Sequence, residues 1–408
     1  MLNAKFGKNT IKKNLRLLLI TDTFPPHRTS GAIQLRDLSI NFASKGHNVI
    51  VLVPSHEIKM NWKLENNSKY RVLRLKSPMI KNLGNARRAI NEFLMPLYML
   101  YNFYKCPVNQ EKWDGIIWYS PSIFHGLLVR YFKKKYNCKC YLILRDVFPE
   151  WAFDLGLIKS GISYQILKYI ADYQYKLADT IGIQSRGNEK YLKKYQVKKN
   201  CIEVLNNWLN DNAIVKSSIQ IKETPLRGRK IFVYAGNMGL AQGIDVILNL
   251  ILSMKTSDDI GFLFVGRGTE KKRIKSFIQK NNLSNIILHD EIDSEELPDL
   301  YSQCFAGIVS LDIKHKSNNV PGKFISYIQN GLPVLANIDK ENELKYLIEE
   351  HKIGQVNCTK NVNDLQIKIN KLINQINRNE DLKSMCRNLF EKYYSTENAA
   401  NQIIKRLT

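Results

Sequence analysis

The chain has 408 residues, 44% of them hydrophobic, and carries 61 Lys and Arg against 37 Asp and Glu, a formal charge of +24. That length suits two domains of roughly 200 residues each, and the apolar fraction excludes a disordered chain. The charge invites a polyanion, whether nucleic acid, anionic lipid or a phosphorylated substrate, although a lysine-rich proteome would also raise it. The basic clusters favour the first half: Lys12-Lys13, Arg87-Arg88, Lys133-Lys134-Lys135, Lys193-Lys194 and Lys198-Lys199. The seven cysteines form no C-x-x-C pair and no zinc spacing with histidine, so reduced thiols are expected, with Cys138 and Cys140 on one side of a strand. No transmembrane span is expected, since the apolar runs 15–20 and 93–104 fall well short of about 20 residues.

Short apolar runs alternate with longer helical patterns, as in βαβ units with parallel sheets. In the first half the predicted strands are 15–20, 48–53, 70–75, 115–119, 140–144, 180–184 and 202–205. A helix over 35–45 has Leu35, Leu38, Phe42 and Ala43 on one face, and Gly46 ends it. A polar stretch, 210–229, with Pro225 and Gly228, reads as an inter-domain linker. The pattern then restarts with strands 230–235, 261–265, 285–288, 306–311 and 333–337 and helices 244–254, 271–279, 295–303 and 323–330. A helical C-terminal region follows, with Leu382, Met385, Leu389 and Phe390 at helical spacing. The expected domains are 1–210, 211–385, and a final helical segment 386–408 returning to the first domain.

Doubly wound parallel sheets bind ligands at the carboxyl ends of their strands, so the strand-to-helix junctions are the places to look for chemistry. After the first strand come Asp22 and then Ser30-Gly31 opening a helix, where free backbone N–H groups favour an anion. The first strand of the second half leads into Gly236, Asn237, Gly239, Gln242 and Gly243, a phosphate-cradle pattern without the lysine of a P-loop. The next strand ends in Gly266-Arg267-Gly268; with Lys271 in place of the last glycine, no dinucleotide fingerprint is completed. A third junction, Val320-Pro321-Gly322-Lys323, places a cation at a helix start. The helix dipole disfavours a lysine there unless an anion binds beside it. In the first half, Arg145-Asp146 and Glu150 crowd a strand end. A carboxylate there could orient an acceptor hydroxyl or act as a base, and an Arg145–Asp146 pair fixing the loop is the plain alternative.

Taken in order, these junctions resemble the GT-B-fold retaining glycosyltransferases of family 4, and most closely the fucosamine-transferase-like subgroup of O-antigen and capsule synthesis. The resemblance rests on ITDTFPP…SG at 20–31, KGHNVIVLVP at 45–54, RDVFPE at 145–150, NNW at 206–208, YAGNMGLAQGID at 234–245, VGRG at 265–268, VPGK at 320–323 and NGLPVLA at 330–336. It implies two Rossmann-like domains facing across a cleft, the first binding the acceptor and the second a nucleotide-sugar. It also implies a metal-independent transfer with retention and no cofactor. The family's Glu-x7-Glu pair corresponds to Asn318 and Ser326, and its diphosphate-binding Arg and Lys to Asn237 and Gln242. Lys323 then becomes the main cation on the leaving diphosphate. The family's histidine beside the acidic loop corresponds to Arg145, which moves the catalytic expectation to Asp146 and Glu150.

The resemblance further implies a lipid-diphosphate-linked sugar acceptor at the inner face of a cytoplasmic membrane. Locally, Arg87-Arg88 beside the apolar, aromatic-rich 93–104 suits an anionic membrane surface. Three other readings compete. A nucleotide-sugar 2-epimerase of the same fold would need carboxylates at 318 and 326. A nucleic-acid-binding protein would interleave aromatics with arginine on a sheet face, which this chain does not do. A non-catalytic sugar-nucleotide-binding partner would fit the missing Glu pair.

Overall fold

The structure, a computed structural model, describes residues 14–27, 29–80, 83–154, 156–195, 197–211, 214–312, 320–378 and 381–408. The chain forms two compact units, one made of residues 1–205 and 399–408, the other of residues 206–398.

The first unit holds the strands β1 (Arg16–Ile20), β2 (Asn48–Ser55), β3 (Trp62–Asn66), β4 (Arg71–Lys76), β5 (Gly115–Ser120), β6 (Lys139–Leu144), β7 (Thr180–Ile183) and β8 (Ile202–Val204). They lie in the order β3-β4-β2-β1-β5-β6-β7-β8, and only β3 runs antiparallel to its neighbour. The central strands are continuously apolar because both faces are covered. Leu18, Ile20, Ile116, Trp118, Leu142 and Leu144 enter one core with Met95, Met99 and Phe103 from the helix Asn85–Tyr104. The alternating residues Leu17, Leu19, Val49, Val51, Ile117 and Ile143 are buried on the other face. Sequence periodicity missed β3, whose WKLEN has no apolar run. It is an edge strand fastened by charge, with Glu65 accepting from Arg74 at 3.0 Å and paired with Lys63 at 3.1 Å. The helix expected at 35–45 starts earlier, as Ser30–Ser44, because the Thr29 hydroxyl caps the Ala32 N–H.

The second unit holds β9 (Lys230–Ala235), β10 (Ile260–Val265), β11 (Ile286–His289), β12 (Ala306–Ser310), β13 (Val334–Asn337) and β14 (Gly354–Asn357). Their order is β11-β10-β9-β12-β13-β14, all parallel, with the direction of winding reversing between β9 and β12. In the first unit it reverses between β1 and β5. Each unit is therefore a doubly wound, Rossmann-like α/β domain.

Two boundary expectations need correction. Residues 214–229 are no linker: Ile219, Ile221 and Leu226 are buried in the second unit, and the Ser217 N–H donates to Asp299 at 2.9 Å. Their polar, Pro- and Gly-containing composition hid three core side chains. The expected segment 386–408 is two helices. Leu382–Tyr393 buries Leu382, Leu389 and Phe390 and stays with the second unit. In Thr396–Leu407 the residues from Ala399 onward belong to the first, where Gln402 donates to the Val204 carbonyl at 2.8 Å and Arg406 pairs with Glu203.

The loops after β9 and β10 touch through backbone alone. Gly266 has φ +148, and a Cβ there would lie 2.0 Å from the Gly236 carbonyl oxygen, whereas one on Gly322 would meet nothing within 4 Å. Gly266→Ala is accordingly expected to lower the second unit's stability by about 2 kcal/mol or more, and Gly322→Ala to leave it nearly unchanged. Thermal or urea unfolding of the two variants checks this; equal midpoints would show that the loop yields freely.

Candidate active site

The carboxyl ends of β9 and β12 flank the second unit's switch point, and the helix Gly322–Gln329 begins beside them. Its N-cap is Pro321, which offers no side-chain cap, and among the described residues nothing accepts from the Gly322 and Lys323 N–H groups, the arrangement that suits an anion. Lys323 turns from this helix start onto β9. Its ammonium nitrogen donates to the Tyr234 hydroxyl at 2.6 Å and to Gln242 Oε1 at 2.9 Å, and lies 3.8 Å from the centre of the Tyr234 ring. The Tyr234 hydroxyl donates in turn to the Asn237 carbonyl at 2.7 Å. Among the described residues no carboxylate pairs with Lys323, and loss of water around it lowers its pKa to about 7. A basic side chain held among neutral acceptors, at a helix start without a side-chain cap, is suited to a diphosphate.

Glycines make room for this cluster. Gly236 lines it, its absent Cβ lying 3.9 Å from the Lys323 Cε. Gly243, at φ +56, lets the loop after β9 close on the backbone of Asp312, whose N–H donates to Ala241. Other expected donor residues are placed differently. Asn237 contributes its backbone carbonyl, while its exposed side chain lies over Gly239. The Arg267 side chain extends into solvent toward Glu291 at 3.3 Å and stays out of the Lys323 cluster. Ser326, one turn along the helix, faces the phenol of Tyr301. Asn318 lies outside the described residues. Tyr234, which anchors Lys323, was passed over in the sequence as a strand residue; its place as the last aromatic before a glycine loop was the available signal.

In the first unit, β5 lies between β1 and β6 and delivers Tyr119 to the switch point. A Cβ on Gly31 would lie 2.7 Å from the Tyr119 hydroxyl, so glycine is what allows the helix Ser30–Ser44 to start against that phenol. Burial pushes the Tyr119 pKa up, with Arg145, Asp146 and Asp22 all close enough to act on it. Arg145, Asp146, Asp22 and Gly31 stand out in the sequence, whereas Tyr119, which they surround, does not. Arg145 is buried and donates to the Leu205 carbonyl at 2.9 Å. Burial lowers its pKa, and Tyr119, Tyr141 and Asp146 oppose that shift. Asp146 reaches solvent, but the surrounding protein holds its carboxyl above the usual range and Arg145 draws it back.

Glu150 and Asp146 differ in their surroundings. Its carboxylate is fully buried and accepts from Tyr195 at 2.8 Å, from Lys194 at 2.9 Å and from Tyr164 at 3.0 and 3.1 Å. This occupied carboxylate ties the helix Ile162–Leu177 to Lys194 and Tyr195, a structural duty beside the catalytic role that the sequence suggests for it. Among the described residues no three His, Cys, Asp or Glu side chains are arranged to hold a metal ion.

Two parallel sheets with ligand-ready strand ends are the framework of GT-B-type glycosyltransferases. Residues 216–388, which lie within the second unit, match the family described as Glycosyl transferases group 1. Over 230 residues the chain is 25% identical to the probable glycosyltransferase WbjE of Pseudomonas aeruginosa, a match covering 55% of this chain and 56% of that one. The chain thus spans little more than half the length of that curated relative. Among solved structures, sucrose-phosphate synthase from Thermosynechococcus elongatus superposes with a TM-score of 0.68 at 16% identity, covering 96% of this chain and 98% of that one. Anabaena HepE in complex with UDP and glucose superposes with a TM-score of 0.62 at 13% identity, covering 97% and 99%. At these identities the structural likeness is one of fold.

Replacing Glu150 separates its two roles. Glu150→Ala strands two phenols and an ammonium and is expected to cost about 3 kcal/mol of stability. Urea unfolding measures it; a variant of unchanged stability that loses only activity would return Glu150 to the catalytic set.

Proposed function

We propose that this protein is a glycosyltransferase that takes a sugar from a nucleotide diphosphate-sugar bound by its second unit. The observation that carries this reading is Lys323, aimed into a glycine-lined group of strand ends with, among the described residues, neutral partners only. The diphosphate sits on the N–H groups at Gly322 and Lys323, and Lys323 stabilises the charge that develops as the bond from the sugar's anomeric carbon to the diphosphate oxygen breaks. On the acceptor side Asp146 orients the attacking hydroxyl or takes its proton, backed by Arg145, Tyr119 and Asp22. The donor is UDP-linked, in keeping with the nucleotide in the HepE structure. It carries an N-acetylated or deoxy hexose, and transfer retains the anomeric configuration, as the family 4 resemblance implies.

The acceptor is a lipid-diphosphate-linked saccharide of surface-polysaccharide synthesis, met at the inner face of the cytoplasmic membrane. Supporting this, the helix Asn85–Tyr104 buries Met95, Met99 and Phe103 but leaves Ile90, Phe93, Leu97, Tyr98, Tyr101 and Tyr104 exposed along its other side, with Arg87 and Arg88 at its start. Among the described residues no helix is long and apolar enough to cross a membrane. The Lys133–Lys135 run is partly spoken for. Lys133 pairs with Asp179 at 2.7 Å, and Lys135 donates to Asn109 and lies over the rings of Phe103, Tyr131 and Tyr136.

A thermal-shift panel of UDP-, GDP- and dTDP-sugars is expected to single out a UDP-sugar, raising stability by a few kcal/mol at saturating excess. Lys323→Ala and Asp146→Asn should then lower transfer by roughly a hundredfold or more with unfolding midpoints little changed. Full activity in Lys323→Ala would remove the donor site from this place. Separately, the Phe93→Ser, Leu97→Ser, Tyr101→Ser triple variant should lose co-sedimentation with phosphatidylglycerol vesicles; binding at the wild-type level would refute the membrane face.

A further inference from the structure

The partners of Lys323 carry a second consequence, which rests on the donor-site reading. The Tyr234 phenol is fixed. Its ring stacks on Phe264 at 5.1 Å, and its proton has two acceptors, the Asn237 carbonyl at 2.7 Å and, farther off, Gln242 Oε1 at 3.2 Å. The oxygen therefore presents only lone pairs to Lys323, as does Gln242 Oε1. Two acceptors match the two N–H bonds of a neutral amine; an ammonium has three donors, and its third finds no partner among the described residues. Among the described residues no charged side chain pairs with the amine. Tyr234 is the titratable group facing it from β9. Asp245 is drawn away to Arg273, and Asp312 after β12 meets the Gln242 loop through its backbone. The helix Leu382–Tyr393, packed on the Lys323 helix, sends Lys383 to Gly331 at the far end. Desolvation is what acts on the amine, and no charged group offsets it.

We propose that Tyr234 and Gln242 hold Lys323 as a positioned, largely neutral amine in the empty site, and that the nucleotide diphosphate enters together with one proton from solvent. The proton goes to the lone pair of the Lys323 nitrogen, and the new N–H bond points at the diphosphate oxygen. Tyr234 is thus a positioning residue, acting through Lys323. The sign follows from linkage. Below a pH near 7 the amine is already charged, so affinity is flat; above it each unit of pH weakens binding about tenfold, until the raised pKa of the complex is passed.

The test is calorimetry with UDP-N-acetylglucosamine and UDP-N-acetylfucosamine, whose diphosphate diesters do not titrate near neutrality, in buffers of different ionisation enthalpy at pH 8. Close to one proton should be taken up per nucleotide-sugar bound. In 13Cε-lysine NMR of the empty protein, one resonance should titrate near neutrality and vanish in Lys323→Met. In Tyr234→Phe, and again in Gln242→Leu, that resonance should titrate at lower pH, with the break in the affinity profile moving by the same amount. Binding without proton uptake, or a titration that neither variant moves, overturns this proposal and leaves the donor site standing. Failure of both sugars to bind at any pH overturns the two together.

Discussion

The constraint on which this protein depends is that parallel strands, buried on both faces, can meet a ligand only at their ends. In both units the side chains of the central strands are spent on two apolar cores. What remains for chemistry is the row of junctions where strands give way to helices, with their unpaired N–H groups and a few side chains that reach over from a neighbour. Lys323 shows how tightly this works. It belongs to a helix, its partner Tyr234 to a strand, and its second partner Gln242 to the intervening loop, yet they meet within hydrogen-bond distance. The register of β9 against β12 and the glycine contact between the loops after β9 and β10 hold them together.

The two strand-end groups differ in kind. The one in the second unit is glycine-lined, with a single basic side chain in neutral company, which suits a ligand that supplies its own negative charge. The one in the first unit gathers a buried guanidinium and two carboxylates around the Tyr119 phenol, with burial raising the Tyr119 pKa and lowering that of Arg145. Such a mixed set suits the orientation and deprotonation of a hydroxyl better than the holding of a polyanion.

Much of this was legible in the residues. Parallel strands buried on both faces read as apolar runs, and a lysine at a helix start conflicts openly with the helix dipole unless an anion is near. What stayed hidden was hidden for physical reasons. β3 is an edge strand with polar faces, so it lacks the apolar run that marks a strand. Tyr119 and Tyr234 look like core residues because they are buried; what their hydroxyls meet is decided only once neighbouring strands are in register. The burial of Glu150 was not legible, because an acidic residue next to a proline at a strand end looks exposed and nothing local announces that Tyr164, Lys194 and Tyr195 enclose it.

The last ten residues carry an implication for how the protein is made. Leu407 packs where a Cβ on Gly115 would sit only 3.0 Å away, at the start of a central strand, and Gln402 and Arg406 fasten the edge strand β8. On the ribosome, the first unit emerges without this helix and must wait while the whole second unit is synthesised, a delay on the order of tens of seconds. Throughout that interval the amino-terminal rim of its sheet stands open. A chaperone would find its substrate there, and truncations that spare every site residue would leave the nascent first unit permanently unfinished.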